Sequence, residues 1–276
     1  MNTPNRRGIT WVEVLIVVIL VVVGLSLLFS YLLQRRGPHR QTLCMNNQRQ
    51  LSLACLEYEN AHRQFPGYVN ELDTKPASWV VSLLPYLGRK QLWDQWHEGQ
   101  KVSAYLPLLV CPADPPAQRD DTHPALSYVA NCGLPGDKES PADGVFFNHL
   151  LPEEPITISI DDIQQADGAE YTLLLSENVQ AGYWTDTTKE NVGMVWWRTP
   201  GECAGINECR DTAGDRPQQI RYARPSSFHE GGVNAAFCDG HMKFIDEGID
   251  YTVYQLLMTP NSAAAGVEGT LDEGDF

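Results

Sequence analysis

From Val14 to Leu33 the chain runs without a single charged residue. At 1.5 Å per helical residue, twenty such residues extend about 30 Å, the thickness of a bilayer core. A buried helix of a soluble protein would carry a polar stripe, and none is visible. The pattern predicts a transmembrane helix over 9–33, with Glu13 as its one charge. Gly37-Pro38 follows and predicts a kink or short break. Over 41–62, Leu43, Leu51, Leu53, Ala54, Leu56 and Tyr58 are interleaved with Asn, Gln, Arg and Glu. This predicts an amphipathic extension of the helix over 34–65, ended by Phe65-Pro66-Gly67.

Beyond it the periodicity changes. The runs ITISI (156–160), YTLLL (171–175) and MVWW (194–197) have strand length and sit between turn-rich stretches. Val233, Ala235 and Phe237 alternate with Asn234, Ala236 and Cys238, and Asp239-Gly240 is a two-residue hairpin signal with His241, Lys243 and Ile245 on the return strand. The expected fold class is α+β: a long N-terminal helix, first transmembrane and then amphipathic, packed on a mainly antiparallel β-sheet domain over 66–260. Residues 261–276 are small and acidic and predict a disordered tail.

Charge narrows the partners. Twenty Lys+Arg against 35 Asp+Glu leave a net charge of −15, which excludes a nucleic-acid partner because phosphate binding needs clustered positive charge. No G-x-S-x-G, H-E-x-x-H or phosphate-binding glycine loop occurs, so no catalytic residues, no cofactor and no enzymatic activity are expected. The seven cysteines include no C-x-x-C pair, which argues against a zinc ribbon or a thioredoxin-type redox site. Cys203 and Cys209 can close a small disulfide ring, which requires an oxidising compartment. Cys44 and Cys55 on one helix would lie about 16 Å apart, too far to pair.

The residues before the apolar run form a second pattern. Arg6-Arg7-Gly8 precede Ile9, and Glu13 is the fifth residue after the glycine. This resembles the prepilin-type N-terminus, with Ile9 and Trp11 standing where that pattern has Phe and Leu. The resemblance implies a leader over 1–8, cleavage between Gly8 and Ile9 by a prepilin peptidase, and methylation of the new amine. It also implies pairing of Glu13 with the N-terminal amine of a neighbouring pilin-like subunit. A carboxylate in hydrocarbon needs such a partner. Arg35, Arg36 and Arg40 after the span favour the opposite orientation from Arg6 and Arg7. The cysteines and the prepilin pattern side with export of the large domain, which places the protein in the inner membrane as a single-pass chain with a periplasmic body.

A second resemblance covers the body. CMNNQRQLSLACLEYENAHRQFPG (44–67), SWVVSLLPYL (78–87), CPADP (111–115), SYVANCG (127–133) and DGAEYTLLLSE (167–177) follow the order of blocks in the domain-of-unknown-function 1559 family. His229, nine residues and Asp239-Gly240 form the H-X9-DG signature of prepilin-type processing-associated proteins. The family implies a Cys44–Cys111 tether between helix and body. Trp79, Leu83, Leu84, Tyr86 and Leu87 read as core. The H-X9-DG segment reads as a hairpin whose polar residues serve the turn, with His229, Asn234 and Asp239 as weak metal candidates, since a histidine suits a hard cation poorly. The expected role is a non-enzymatic, pseudopilin-like envelope protein that packs by its helix into a type II secretion or type IV pilus-like assembly. The alternative is a lone membrane-anchored protein that binds a glycan or peptide near Trp196-Trp197 and H-X9-DG. A metal-dependent enzyme at His229 and Asp239 is the remaining rival.

Overall fold

The computed structural model describes residues 11–34, 36–100, 102–120, 122–150, 155–210, 219–272 and 274–276. Gly8 and Ile9 lie outside the described residues. The chain divides into two compact units, Met1–Arg40 and Gln41–Phe276.

The first unit contains helix α1 (Trp11–Gln34) and the start of α2 (Arg36–His62). Every described side chain of α1 is exposed, from Val23 at 48% to Trp11 at 84% among the large hydrophobic ones. Among the described residues no helix is long and apolar enough to cross a membrane. The described side chains of α1 end at Ser26, so the stretch expected to span, 9–33, runs past them at both ends. Helix α1 ends at Gln34 and α2 begins at Arg36, just before Gly37-Pro38. Both residues lie inside the first turn of α2, where a proline's missing N–H has no intrahelical partner to lose.

In the second unit α2 buries Cys44, Gln48, Leu51, Ser52, Cys55 and Glu59, a stripe at helical spacing. Leu43 and Leu53, expected on the packed side, fall on the opposite one and are 39% and 48% exposed. The hydropathic pattern misled here because several positions that face the body are polar and hydrogen-bonded rather than apolar.

The body is α+β and mainly antiparallel. A hairpin of β1 (Val69–Leu72) and β2 (Lys75–Ser78) leads into α3 (Trp79–Leu83), capped by the Ser78 hydroxyl. After α4 (Lys90–His97) come β3 (Tyr128–Asn131), α5 (Ile160–Gln165), β4 (Leu173–Glu177), α6 (Lys189–Val192) and β5 (Gly193–Met194). Then follow β6 (Gly232–Phe237), β7 (Met242–Asp246), α7 (Tyr251–Met258) and α8 (Ser262–Ala265). The five-stranded sheet has the order β5-β3-β4-β6-β7, and only the β3–β5 pair is parallel. Trp79, Leu83 and Leu84 are fully buried, with Tyr86 and Leu87 packed at the margin. The Trp79 indole N–H donates to the Val192 carbonyl at 3.1 Å, so the polar end of this core residue is satisfied.

Three expectations change. ITISI is not a strand, because Ser159 and Asp162 form a capping box that starts α5 within it. MVWW contributes only Met194 to the sheet, in β5. The end of the chain is not a loose tail: Val267 is buried, and Phe276 stacks on Phe237 at 5.6 Å beneath the Lys243 ammonium. Aromatic stacking and a cation–π contact hold it despite its acidic composition.

The β6–β7 turn also differs by one residue from the expected two. Phe237 N–H donates to the His241 carbonyl and Gly240 N–H to the Phe237 carbonyl, which closes a three-residue loop. Gly240 takes the left-handed conformation at φ +88° that such a loop requires. At the other end of the hairpin, a Cβ on Gly232 would run into the Ile245 carbonyl oxygen of the partner strand. Gly232→Ala is therefore expected to destabilise the protein by about 2 kcal/mol or more. Thermal unfolding followed by circular dichroism should show a Tm lower by roughly 4–8 °C. An unchanged Tm would contradict the close approach of β6 and β7.

Candidate functional site

The blocks that are far apart in sequence meet at one buried polar cluster between α2 and the sheet. Helical spacing puts Cys44 and Gln48 on one face of α2, and both are fully buried. Cys44 is joined to Cys111 by a disulfide, with the two Cα atoms 5.2 Å apart. Asn47 Nδ2 lies 3.3 Å from the Val110 carbonyl and 3.4 Å from the Tyr128 hydroxyl, so it stitches the same loop to β3. Gln48 Nε2 donates to the Asn234 carbonyl at 3.0 Å, and Ser176 Oγ donates to the same oxygen at 3.2 Å.

Glu177 ends β4 and is almost completely buried. One oxygen, Oε2, accepts from the Asn234 backbone N–H at 2.8 Å and from its Nδ2 at 3.2 Å. The other, Oε1, is 3.1 Å from Nε2 of His229. A carboxylate only accepts, so the proton of that bond sits on His229 Nε2. His229 Nε2 also lies 3.4 Å from Cys111 Sγ. The His229 backbone is held by the Ser227 hydroxyl, which in turn donates to the Gly232 carbonyl. One donor atom each from Cys44, Cys111, Glu177 and His229 all lie within 4.8 Å of one another, the compactness a metal site needs. Burial, with the Glu177 charge beside it, pushes the Tyr128 phenol well above its ordinary range, so it stays protonated.

His229 and Asn234 are thus brought together, but Asp239 is not with them. It lies at the β6–β7 turn, where it accepts from the His241 backbone N–H at 2.9 Å and pairs with its ring. The partner that completes the site is Glu177. A Ser-Glu pair ending the apolar run Leu173-Leu174-Leu175 is the signal in the sequence, because a charge closing a buried strand demands a partner. Trp196 is buried and donates from Nε1 to the Asp143 carbonyl at 2.8 Å, while the Trp197 N–H donates to the Tyr251 hydroxyl. Trp196 therefore presents no open binding face, while Trp197 stays partly exposed at the margin of the core. Cys203 and Cys209 form the second disulfide, and Cys55, Cys132 and Cys238 are buried free thiols. Burial pushes all three thiols far above their ordinary range, which makes them inert at neutral pH.

Beside the cluster is an open cleft of about 450 Å³, lined by Asp114, Gln118, His123, Gln180, Tyr183 and Asn191 among others. A smaller depression shares Asp114 and Ser127 with it and reaches Cys111 and Glu177, with half-exposed Phe228 also in its lining.

The two disulfides should differ in weight. They close segments with sequence separations of 67 and 6 residues. Chain entropy assigns about 4 kcal/mol to the first and about 2 kcal/mol to the second. Denaturant unfolding of Cys44→Ala/Cys111→Ala against Cys203→Ala/Cys209→Ala should show that ratio. His229→Ala, which leaves Glu177 buried beside only the Asn234 donors, is expected to cost about 3 kcal/mol by the same measurement. A loss below about 1 kcal/mol would mean that the Asn234 donors alone satisfy Glu177.

No curated protein matches the chain, and no solved structure does. A family model described as "Protein of unknown function (DUF1559)" matches residues 36–252. That span begins at α2 and runs into α7, so it includes every residue of the Cys44–Cys111–Glu177–His229 cluster. The chain belongs to the DUF1559 family.

Proposed function

We propose that this protein is a non-enzymatic, pseudopilin-like envelope protein, anchored by α1 and assembled through it with other pilin-like subunits. The observation that carries the reading is the bare apolar surface of α1. Its side chains from Val14 to Leu25 include no charge, and every one of them is exposed. A helix apolar on all sides requires lipid or another apolar helix around it. Two disulfides in the body support export, since such bonds persist in oxidising compartments. Glu13 falls in the first turn of α1, where a carboxylate suits the helix dipole, and it follows by four residues the Ile9 whose amine cleavage after Gly8 would create. The leader, the span over 9–33, the cytoplasmic-membrane location and the prepilin peptidase as processing partner all belong to this proposal.

A second reading has its own observation. The 450 Å³ cleft with its mixed lining of Asp114, His123, Gln180 and Tyr183 is large enough for a small polar ligand. On that reading the anchor serves only to hold a lone extracytoplasmic binding domain. The ligand would sit in this cleft and not at Trp196-Trp197.

Intact mass and N-terminal sequencing of the protein from its native membrane decide between processing and a plain anchor. The expected chain starts at Ile9 and carries one added methyl group. Cross-linking in the membrane should then give ladders of subunits that Glu13→Ala removes while cleavage continues. A chain that retains residues 1–8 would end the pilin reading and leave the anchored binding domain.

A further inference from the structure

The geometry points to a second state of the buried cluster: when the Cys44–Cys111 disulfide is reduced, we infer that Cys44, Cys111, His229 and Glu177 bind one zinc ion. This inference is independent of the anchoring role and concerns the body alone.

The donor set is right for that metal. Two thiolates, one imidazole and one carboxylate are all ordinary zinc ligands, and thiolate sulfur selects against calcium and magnesium. The spacing agrees as well. With metal–ligand bonds of about 2.3 Å to sulfur and about 2.0 Å to nitrogen and oxygen, a tetrahedron has S···N edges of about 3.6 Å and N···O edges of about 3.3 Å. The corresponding distances here are 3.4 Å from Cys111 Sγ to His229 Nε2 and 3.1 Å from His229 Nε2 to Glu177 Oε1. The remaining donor pairs all lie within 4.8 Å, and the two sulfurs must part from a covalent bond to about 3.8 Å, the S···S edge of the same tetrahedron.

The surroundings are also those of a ligand site. The Asn234 amide that supports Glu177 leaves its Oδ1 buried without a hydrogen-bond partner, and Gln48 Oε1 is in the same condition. Buried polar atoms in native proteins are nearly always satisfied, and an ion or a water is one explanation for an exception. Asn234 also orients Glu177 through its backbone N–H, which is the outer support expected of a metal-binding carboxylate. A shallow depression lined by Cys111 and Glu177 lies beside these ligands.

The steps balance. A phosphine breaks the S–S bond and leaves as its oxide, taking oxygen from one water molecule. The two hydrogens of that water end on Cys44 and Cys111 as thiols. Zinc then displaces both thiol protons to solvent. The His229 proton moves from Nε2 to Nδ1, so that Nε2 becomes a ligand. Glu177 binds as the carboxylate it already is.

The test uses the full-length chain in detergent. Zinc is titrated against a chromophoric chelator, with and without a phosphine reductant. One equivalent of tight zinc is expected only after reduction. Cobalt substitution should give a thiolate charge-transfer band together with the visible bands of tetrahedral cobalt. His229→Gln and Glu177→Gln should each weaken binding about tenfold or more. Cys203→Ser/Cys209→Ser, which removes only the other disulfide's thiols, should leave it unchanged. Near-ultraviolet circular dichroism of the reduced, zinc-loaded protein should match that of the oxidised form. The inference is overturned if the reduced chain binds no stoichiometric zinc, if zinc binds equally without reduction, or if binding survives in Cys44→Ser/Cys111→Ser. It also fails if the reduced chain loses its near-ultraviolet signal despite zinc, since binding would then come from an unfolded chain.

Discussion

The structure depends on a buried charge that must not be left alone. Glu177 closes the central strand β4 at almost zero exposure, and moving a carboxylate into such a place costs several kcal/mol unless it is paired and hydrogen-bonded. Each of its partners comes from a different part of the chain. His229 supplies the opposing ring and Asn234 supplies two donors from β6, while the Cys44–Cys111 bond ties α2 against the same spot. The β4–β6 register, the position of the loop before β6 and the contact face of α2 are all fixed by satisfying one side chain. This is specificity obtained from a polar group inside an apolar core.

Other buried polar side chains work in the same way at a smaller scale. Asn131, at the end of β3, donates to the Leu173 and Met258 carbonyls at 2.8 Å each, so it holds β4 and α7 to one point. Glu59 near the end of α2 accepts from the Ile160 backbone N–H and so seats the first turn of α5. Arg224 is buried against the Glu208 and Tyr222 carbonyls and the Gln180 side chain, and burial lowers its guanidinium to about 10. It fastens the loop that carries the second disulfide. The body is therefore organised by single polar side chains that each reach two or three segments, with the apolar core filling the space between them.

This explains how much the sequence revealed. The β6–β7 hairpin, the core segment around Trp79 and strand β4 were legible, because alternation and apolar runs report burial directly. The packed face of α2 was only half legible. Its contact positions Cys44, Gln48, Ser52 and Glu59 are not all apolar, so hydropathy pointed instead to Leu43 and Leu53. ITISI looked like a strand because a capping box acts through three residues and overrides alternation. His229 and Asn234 could be singled out as polar residues of one motif. Their meeting with Glu177 could not, because the partners are separated by 52 and 57 residues and only the sheet order brings them together. Asp239 was grouped with them by its place in the motif, yet it lies five positions past Asn234, in the turn and away from Glu177.

The three thiols that take no part in either disulfide have a consequence for how the molecule must mature. Cys55, Cys132 and Cys238 are inert only because packing encloses them. In a nascent chain all seven cysteines compete for oxidant on equal terms, and most of the possible pairings are wrong. Collapse of α2 onto the sheet has to outrun oxidation, or a shuffling catalyst has to correct the errors afterwards. Whichever route is used, covalent quality control in this molecule is enforced by shape before it is enforced by chemistry.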